Sequence, residues 1–256
     1  MNSPDITTKI TTKADDRSSG ASLNEMPKIS IVIPTLNEAA GIVKALQALQ
    51  ALRARGVELI VVDGGSTDGA PDLARPFADR VITAPRGRAR QMNAGAAVAR
   101  GRIVLFLHAD TRLPEQADRA ILESIDDGRH WGRFDVMIEG CSSWLKLVAR
   151  MMNLRSRLTG IATGDQAIFV SGAAFRAAGG YPDIPLMEDI ALSNALKRLG
   201  RPACLAACVT TSGRRWEKHG VWRTIVFMWW LRLRYFFGAN PVGLAKEYGY
   251  EVHNDS

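Results

Sequence analysis

Apolar and polar positions alternate in blocks along this chain, and the blocks predict a strand–helix order. Lys28-Ile29-Ser30-Ile31-Val32-Ile33 reads as a short buried strand, ended by Pro34-Thr35-Leu36-Asn37-Glu38. Ile42, Leu46 and Leu49 then recur at helical spacing, with Arg53 and Arg55 near the helix end. Glu58–Asp63 reads as a second strand that closes on an acid. The turn Gly64-Gly65-Ser66-Thr67-Asp68-Gly69 opens a helix with Pro71 in its first turn. Arg80–Thr83 is a third strand, and Arg102–Thr111 a fourth, buried on both faces until its polar end. Trp131–Ile138 and Ala167–Val170 add two more. This alternation predicts an α/β fold: a doubly wound, mostly parallel sheet with helices on both faces. Residues 1–27, rich in Ser, Thr, Asp and Lys, lack an apolar period and are expected to be a disordered tail. No apolar core follows the initial Met, so no secretory signal is expected. The ordered unit should span 28–216, with 217–256 forming a C-terminal aromatic and basic helix and tail.

In open parallel sheets, ligands collect outside the carboxyl ends of the strands. His108 and Asp110 stand two apart there, on one side of an extended chain. A carboxylate at that place suits a divalent metal shared with phosphate oxygens; its alternative role is to cap the turn before Arg112-Leu113-Pro114. Asp63 can accept from ribose hydroxyls or a base N–H. Gly64 and Gly65 either admit a ligand close to the backbone or make a tight turn. Arg86, Arg88 and Arg90 precede an Ala/Gly-rich helix, where guanidinium groups and a positive helix end together attract phosphate. A diphosphate cradle is favoured there over a solvated face.

Charge and cysteine content narrow the setting. A net charge of +7 points to an anionic partner but does not choose among nucleotide phosphates, an anionic membrane surface and nucleic acid. Cys141, Cys204 and Cys208 are odd in number and lack metal-site spacing, which suggests reduced thiols in a cytosolic protein, the latter two used for packing.

The second half carries two apolar stripes and an acid pair. Trp144, Leu147, Val148, Met151 and Leu158 share a helical face, for which core packing is the default, with Lys146, Arg150, Arg155 and Arg157 elsewhere. Asp135 reads as an edge polar group. From Val221 to Gly238, Trp222, Ile225, Val226, Trp229, Leu233, Phe236 and Phe237 share a face, with Arg223 and Arg234 on another. The run Ile225–Leu231 is far short of the ~20 residues a spanning helix needs. A helix lying at a bilayer interface and a terminal helix docked on the sheet both remain open. Glu188 and Asp189 head an apolar-periodic helix and by themselves could be favourable N-terminal charges.

Taken together, Pro34-Thr35-Leu36-Asn37-Glu38, Val62–Gly69, the Asn93 region and the His108-Ala109-Asp110 strand end resemble glycosyltransferase family 2, the inverting group with the GT-A fold. The resemblance runs from Lys28 to about Trp216. It implies a metal-assisted transfer from a nucleoside diphosphate sugar to a hydroxyl acceptor, with a lipid-linked acceptor among the options and no nucleic acid partner. It implies that Pro34, Thr35, Asn37, Glu38, Asp63, Gly64, Arg86, Arg88, Arg90, Asn93 and His108 serve the nucleotide and Asp110 the metal, Mn²⁺ or Mg²⁺. His108 departs from the family, which usually has an acid there; imidazole suits Mn²⁺ better than Mg²⁺. The Gly179-Gly180-Tyr181 turn followed by Glu188-Asp189 is similar to the family's acceptor-side signature, implying Asp189 as the base and Glu188 in support. Gly164, Asp165, Gln166 and Trp216 would line the sugar or acceptor pocket, and Arg215 would touch the diphosphate. Ser212 stands where polymer-building members have Gln, so processive synthesis is not implied. The expected setting is cytoplasmic, with attachment to the inner face of the membrane as an option. Two rivals stay open: a nucleotidyltransferase of related fold and a non-catalytic nucleotide-binding protein.

Overall fold

Every residue of Glu58–Asp63 is buried, and its neighbours alternate their side chains between two apolar layers. Ile31, Ile33, Leu59, Val61 and Leu105 face one layer; Val32, Ile60, Val62, Val104 and Phe106 face the other. Such two-sided burial is what parallel strands covered by helices require. The computed structural model describes residues 26–214, 216 and 220–250; the expected tail up to residue 25, and the expectation for Arg215, lie outside these residues.

The eight described strands form one sheet in the order β3-β2-β1-β4-β7-β6-β8-β5. They are β1 (Ile29–Thr35), β2 (Glu58–Asp63), β3 (Arg80–Thr83), β4 (Ile103–Phe106), β5 (Thr111–Arg112), β6 (Trp131–Glu139), β7 (Phe169–Ser171) and β8 (Ala203–Ser212). Strands β1 to β4 are mutually parallel, β7 runs against β4 and β6, and β8 is parallel to β6. One layer holds α1 (Ala39–Gln47), α2 (Gln50–Ala54), α3 (Ala70–Ala74), α5 (Ala117–Asp126) and α6 (Trp144–Thr159). The opposite layer holds α4 (Arg88–Val98), α7 (Gly172–Ala177) and α8 (Glu188–Lys197). Helix α4 lies so close to the sheet that a Cβ on Gly95 would stand 2.3 Å from Val32 Cγ1. Only glycine permits that approach.

Four expectations change. Strand β4 ends at Phe106, and the Thr111 N–H donates to the His108 carbonyl at 3.0 Å, so His108–Asp110 form a turn rather than extended chain. Asp135 lies inside the sheet, since β6 sits between β7 and β8; it pairs with the fully buried Arg133 and with Arg157. Of the α6 stripe, only Val148 is buried; Trp144, Leu147, Met151 and Leu158 are exposed. The packed side instead uses Leu145, Ala149 and a polar seam, in which Asn153 bonds both backbone groups of Val136 and Ser156 Oγ accepts from Arg133. Cys208 is exposed on β8 rather than packed.

The C-terminal segment comprises α9 (Val221–Phe236) and α10 (Pro241–Tyr248). Leu231 of α9 and Leu244 and Ala245 of α10 pack on Leu186 and Met187, just before α8. The outer side of α9 is apolar and exposed, Phe236 by 81% and Val226 by 66%. The inner side of α9 is therefore docked on the rest of the chain, as one of the two sequence-level options expects.

Candidate active site

The turns after β1 and β4, the short 3-10 turn Gly164–Gln166, the start of α4 and the start of α8 all open on one cavity of about 1260 Å³. Pro34, Thr35, Glu38, Arg86, Arg88, Arg90, His108, Asp110, Gly164, Asp165, Glu188, Asp189 and Trp216 line it. The volume exceeds the 300–1,000 Å³ usual for one small ligand, leaving room for two.

Other sequence-level candidates hold this wall from behind. Asp63 is buried, and its carboxylate accepts from the Gly65 and Ser66 N–H groups at 2.9 and 3.0 Å. Asn37 accepts from Thr67 N–H at 2.9 Å while its own N–H donates to Ser66 Oγ, stitching the first two loops together. Asn93 closes two bonds with the Tyr181 backbone, which clamps the Gly179–Tyr181 turn to α4. Gln166 is fully buried, and its amide oxygen accepts from Thr163 N–H. Gly64 leaves space for Gln91, whose Nε2 donates at 2.8 Å to both the Thr35 and Val62 carbonyls. Gln91 thus fixes the spacing of two ligand loops, a role that no spacing in the sequence marks.

The acids converge at the start of α8. Met187, which precedes Glu188, adopts φ 69°; Asn37 (55°) and Ala167 (48°) are the other described non-glycine residues with positive φ. All three adjoin segments of the cavity wall, and strain concentrated this way is typical of functional sites. Asp189 Oδ2 accepts from Gly164 N–H at 3.0 Å and Oδ1 from Ile190 N–H at 2.7 Å. Each oxygen keeps lone-pair capacity for a further donor. Glu188 is buried, and burial followed by the Asp189 charge pushes its pKa up to about 7. Its cation is Arg88, with Nη1 3.7 Å from Oε1. Burial opposes the charge on Arg88, but Tyr250 and the carboxylates Glu188, Asp165 and Asp189 outweigh it and raise its pKa. Arg88 nonetheless stays 43% exposed, because the cavity is open to water. Arg90 is held by Asp183, whose two carboxylate oxygens share the Arg90 Nε–H at 2.9 and 3.0 Å.

At the β4 end, His108 Nδ1 lies 3.3 Å from Asp165 Oδ1. Burial raises the Asp165 pKa, yet the His108 hydrogen bond and charge reverse that, so it ends below its usual value. His108 Nε2 is buried against Gly164 without a hydrogen-bond partner. Asp110 is exposed on the wall, near enough to Glu38 that it joins burial in raising the Glu38 pKa. Among the described residues, no three His, Cys, Asp or Glu side chains form a metal cluster. One carboxylate with a second nearby still fits Mg²⁺ or Mn²⁺, which take much of their shell from water and substrate phosphates.

Arg155, Arg232, Met228, Trp229, Tyr248 and Tyr250 also line the cavity. Sequence reasoning assigned them no site role: each reads as an ordinary residue of an amphipathic helix or tail.

A sheet of this order, with a cavity at its carboxyl edge and an acid pair opposite, has the GT-A fold. The family model described as Glycosyl transferase family 2 matches residues 30–174, and the chain belongs to that family. It is 41% identical over 96 residues to a PGL/p-HBAD biosynthesis glycosyltransferase of Mycobacterium bovis, covering 35% of this chain and 38% of that protein. It is 28% identical over 154 residues to an undecaprenyl-phosphate 4-deoxy-4-formamido-L-arabinose transferase of Pseudomonas paraeruginosa, covering 54% and 44%. The match thus spans less than half the length of these relatives. Among solved structures it resembles a mannosyltransferase of Pyrobaculum calidifontis in complex with GDP-Man and Mn²⁺, with TM-score 0.57 at 20% identity, covering 73% of this chain and 57% of that one. It also resembles S. aureus TarS 1-349 in complex with UDP-GlcNAc, with TM-score 0.57 at 19% identity, covering 72% and 58%. At such identities the likeness shows the fold.

Proposed function

We propose that this protein transfers a sugar from a nucleoside diphosphate sugar to an acceptor hydroxyl, inverting the anomeric centre. The observation that carries the reading is the single cavity shared by the donor loops and the Glu188–Asp189 pair. Thr35 and Glu38 face the nucleoside, with Asp63, Asn37 and Gly64 shaping their loops, and Arg86, Arg88 and Arg90 attract the diphosphate from the start of α4. Asp189 accepts the acceptor proton as the acceptor oxygen bonds to the anomeric carbon and the bond to the diphosphate breaks. Gly164 and Ile190 hold its carboxylate in place. Glu188 supports Arg88, and Trp216 and Asp165 bound the sugar and acceptor space. A divalent ion, held by Asp110 with Glu38 nearby, would supply Lewis-acid stabilisation to the leaving diphosphate. His108 Nδ1 is engaged by Asp165, which positions the imidazole at this wall of the cavity.

We also propose that the outer face of α9 rests on an anionic membrane surface. Support comes from exposed Trp222, Trp229, Trp230, Phe236 and Phe237, joined to α6 by the Trp144–Trp222 ring contact at 4.9 Å and flanked by Arg223 and Arg234. No described helix is long and apolar enough to cross a membrane.

The direct test is incubation with a panel of nucleotide sugars, Mn²⁺ or Mg²⁺ and candidate acceptors, followed by product analysis. Nucleoside diphosphate and an inverted glycoside are expected. Release of pyrophosphate would instead identify a nucleotidyltransferase.

A further inference from the structure

The cavity contains two charges that neither the donor loops nor the acid pair employs. Arg155 on α6 and Arg232 on α9 both line it. Nε and Nη2 of Arg155 and Nε of Arg232 are shut off from water and meet no hydrogen-bond acceptor. Arg133, the other buried guanidinium of this region, shows the usual solution: its donors are spent on Ser156, Asp135 and Asn153. Unmet buried donors on charged groups are costly, and a like charge beside them adds to the cost. Burial, and then the neighbouring Arg232 charge, bring the Arg155 pKa down to about 10, so it stays cationic at neutral pH. Asp189 attracts Arg155 through space, but the hydrogen bonds its carboxylate accepts come from Gly164 and Ile190. Both residues are only half-buried, so the guanidinium nitrogens outside this dry set are the ones that an anion with several acceptor oxygens can meet, bridging the two like charges.

Position separates this pair from the donor arginines. Arg86, Arg88 and Arg90 belong to the start of α4, beside the strand ends. Arg155 is placed by the α6 seam, where Asn153 and Ser156 are tied to β6, and Arg232 follows the buried Leu231 of α9. Around them the lining turns apolar, with Met151, Leu154, Leu158, Met228 and Trp229.

We propose that Arg155 and Arg232 form a second anion subsite, which takes the phosphate of the acceptor, so that the acceptor is a phosphate-bearing alcohol. Assigning that anion to the acceptor rests on the transferase reading; the existence of an anion subsite does not. The phosphate is held beside Asp189, so a hydroxyl on the same molecule reaches the base while the phosphate stays bound. The phosphate can belong to a small soluble alcohol or to a lipid headgroup, and the apolar lining accommodates either.

Titration calorimetry on the full chain separates these cases. The probes are glycerol 3-phosphate, dihexanoyl phosphatidylglycerol and, as a phosphate-free control, glycerol, with UDP and GDP plus Mn²⁺ run in parallel. At least one phosphate compound should bind and glycerol should not; the tighter of the two assigns a soluble or a lipid source. Arg155→Gln and Arg232→Gln should each weaken that binding by at least ~10-fold, while nucleoside diphosphate affinity stays within ~3-fold. Arg155→Lys, which keeps the charge without the planar fork, should retain part of the affinity and serves if Arg155→Gln does not fold. The proposal is overturned if neither phosphate compound binds, if binding ignores both substitutions, or if nucleoside diphosphate affinity falls in step with them. Phosphate binding that depends on both arginines, with no nucleotide binding at all, would keep the anion subsite and count against the transferase reading.

Discussion

The Gly164 N–H donates to Asp189 Oδ2 at 3.0 Å, joining the turn that faces His108 to the first turn of α8. A Cβ at Gly164 would stand 2.5 Å from His108 Nε2, so the imidazole or the turn must shift. Gly164→Ala should therefore disturb the Asp189 carboxylate through its backbone donor while touching neither acid directly. Overpacking of this kind costs about 1–3 kcal/mol. Turnover should fall more than that stability change alone would cause at a temperature well below unfolding. Unchanged melting temperature and turnover would show that the turn is not coupled to Asp189.

Asp189→Asn tests the base itself. The substitution preserves shape and the acceptor for one backbone N–H but cannot readily take a proton. A positioned base supplies ~10²–10⁴ in rate, so turnover should drop at least ~10² with donor affinity within a few fold. Loss of donor binding in proportion to rate would return Asp189 to a structural role at the helix terminus.

Glu188 gives the site a pH signature. Its folded pKa of about 7 lies above the ordinary value of 4.5, raised by burial and by Asp189, with Arg88 and His108 opposing. Between those two values the folded protein holds a proton that the unfolded chain has released. Its stabilising contribution is complete below the lower value and is lost as pH rises through the upper one. Glu188→Gln removes this dependence. The variant should gain about 1–3 kcal/mol over wild type at pH 8 and nothing at pH 4, read as the difference in chemical unfolding. Equal pH profiles would place Glu188 in a less buried setting than the structure gives it.

Much of the fold was legible because strand burial and helix amphipathicity both write short, regular periods. β1, β2 and the start of α4 match those periods, and their loops carry the polar residues directly. His108 and Asp110 read as extended chain because the apolar run carries no mark of the strand's end at Phe106, where a turn begins. Asp135 looked peripheral because the partners that bury it include Arg157, twenty-two residues away on another element. Arg155 and Arg232 could not be recognised at all. An arginine on an amphipathic helix reads as solvated, and only packing of α6 and α9 around one cavity leaves their nitrogens dry and unpaired.

Asp110→Ala addresses the metal. Asp110 is the exposed carboxylate at the β4 end, and Glu38, its acidic neighbour, is partly buried. Nucleoside diphosphate should bind wild type more tightly with Mn²⁺ than with EDTA, and that difference should disappear in the variant. The metal-free affinity should be unaffected or slightly improved, since one negative charge near the diphosphate is gone. Equal Mn²⁺ enhancement in both proteins would move the ion elsewhere.

The exposed face of α9 makes the last prediction. Phe236, Phe237, Val226 and Trp229 are each more than half exposed, while Leu231 and Thr224 anchor the helix beneath them. Removing outward side chains should therefore leave the fold intact, within the ~0.5 kcal/mol typical of surface changes. The triple variant Val226→Ser, Trp230→Ser, Phe236→Ser, which spares the cavity-lining Trp229, should keep its unfolding midpoint yet lose co-sedimentation with vesicles containing anionic lipid. Wild type should sediment with anionic vesicles, weakly with neutral ones, and less at high salt, because Arg223 contributes through a screened field. Leu231→Ser provides the contrast: it opens the cluster with Leu186 and Met187, so it should lower stability by several kcal/mol and disturb the start of α8. If the triple variant loses stability as Leu231→Ser does, the outer face is covered by protein rather than lipid. If wild type ignores anionic vesicles altogether, the membrane assignment fails while the docked inner face of α9 stands.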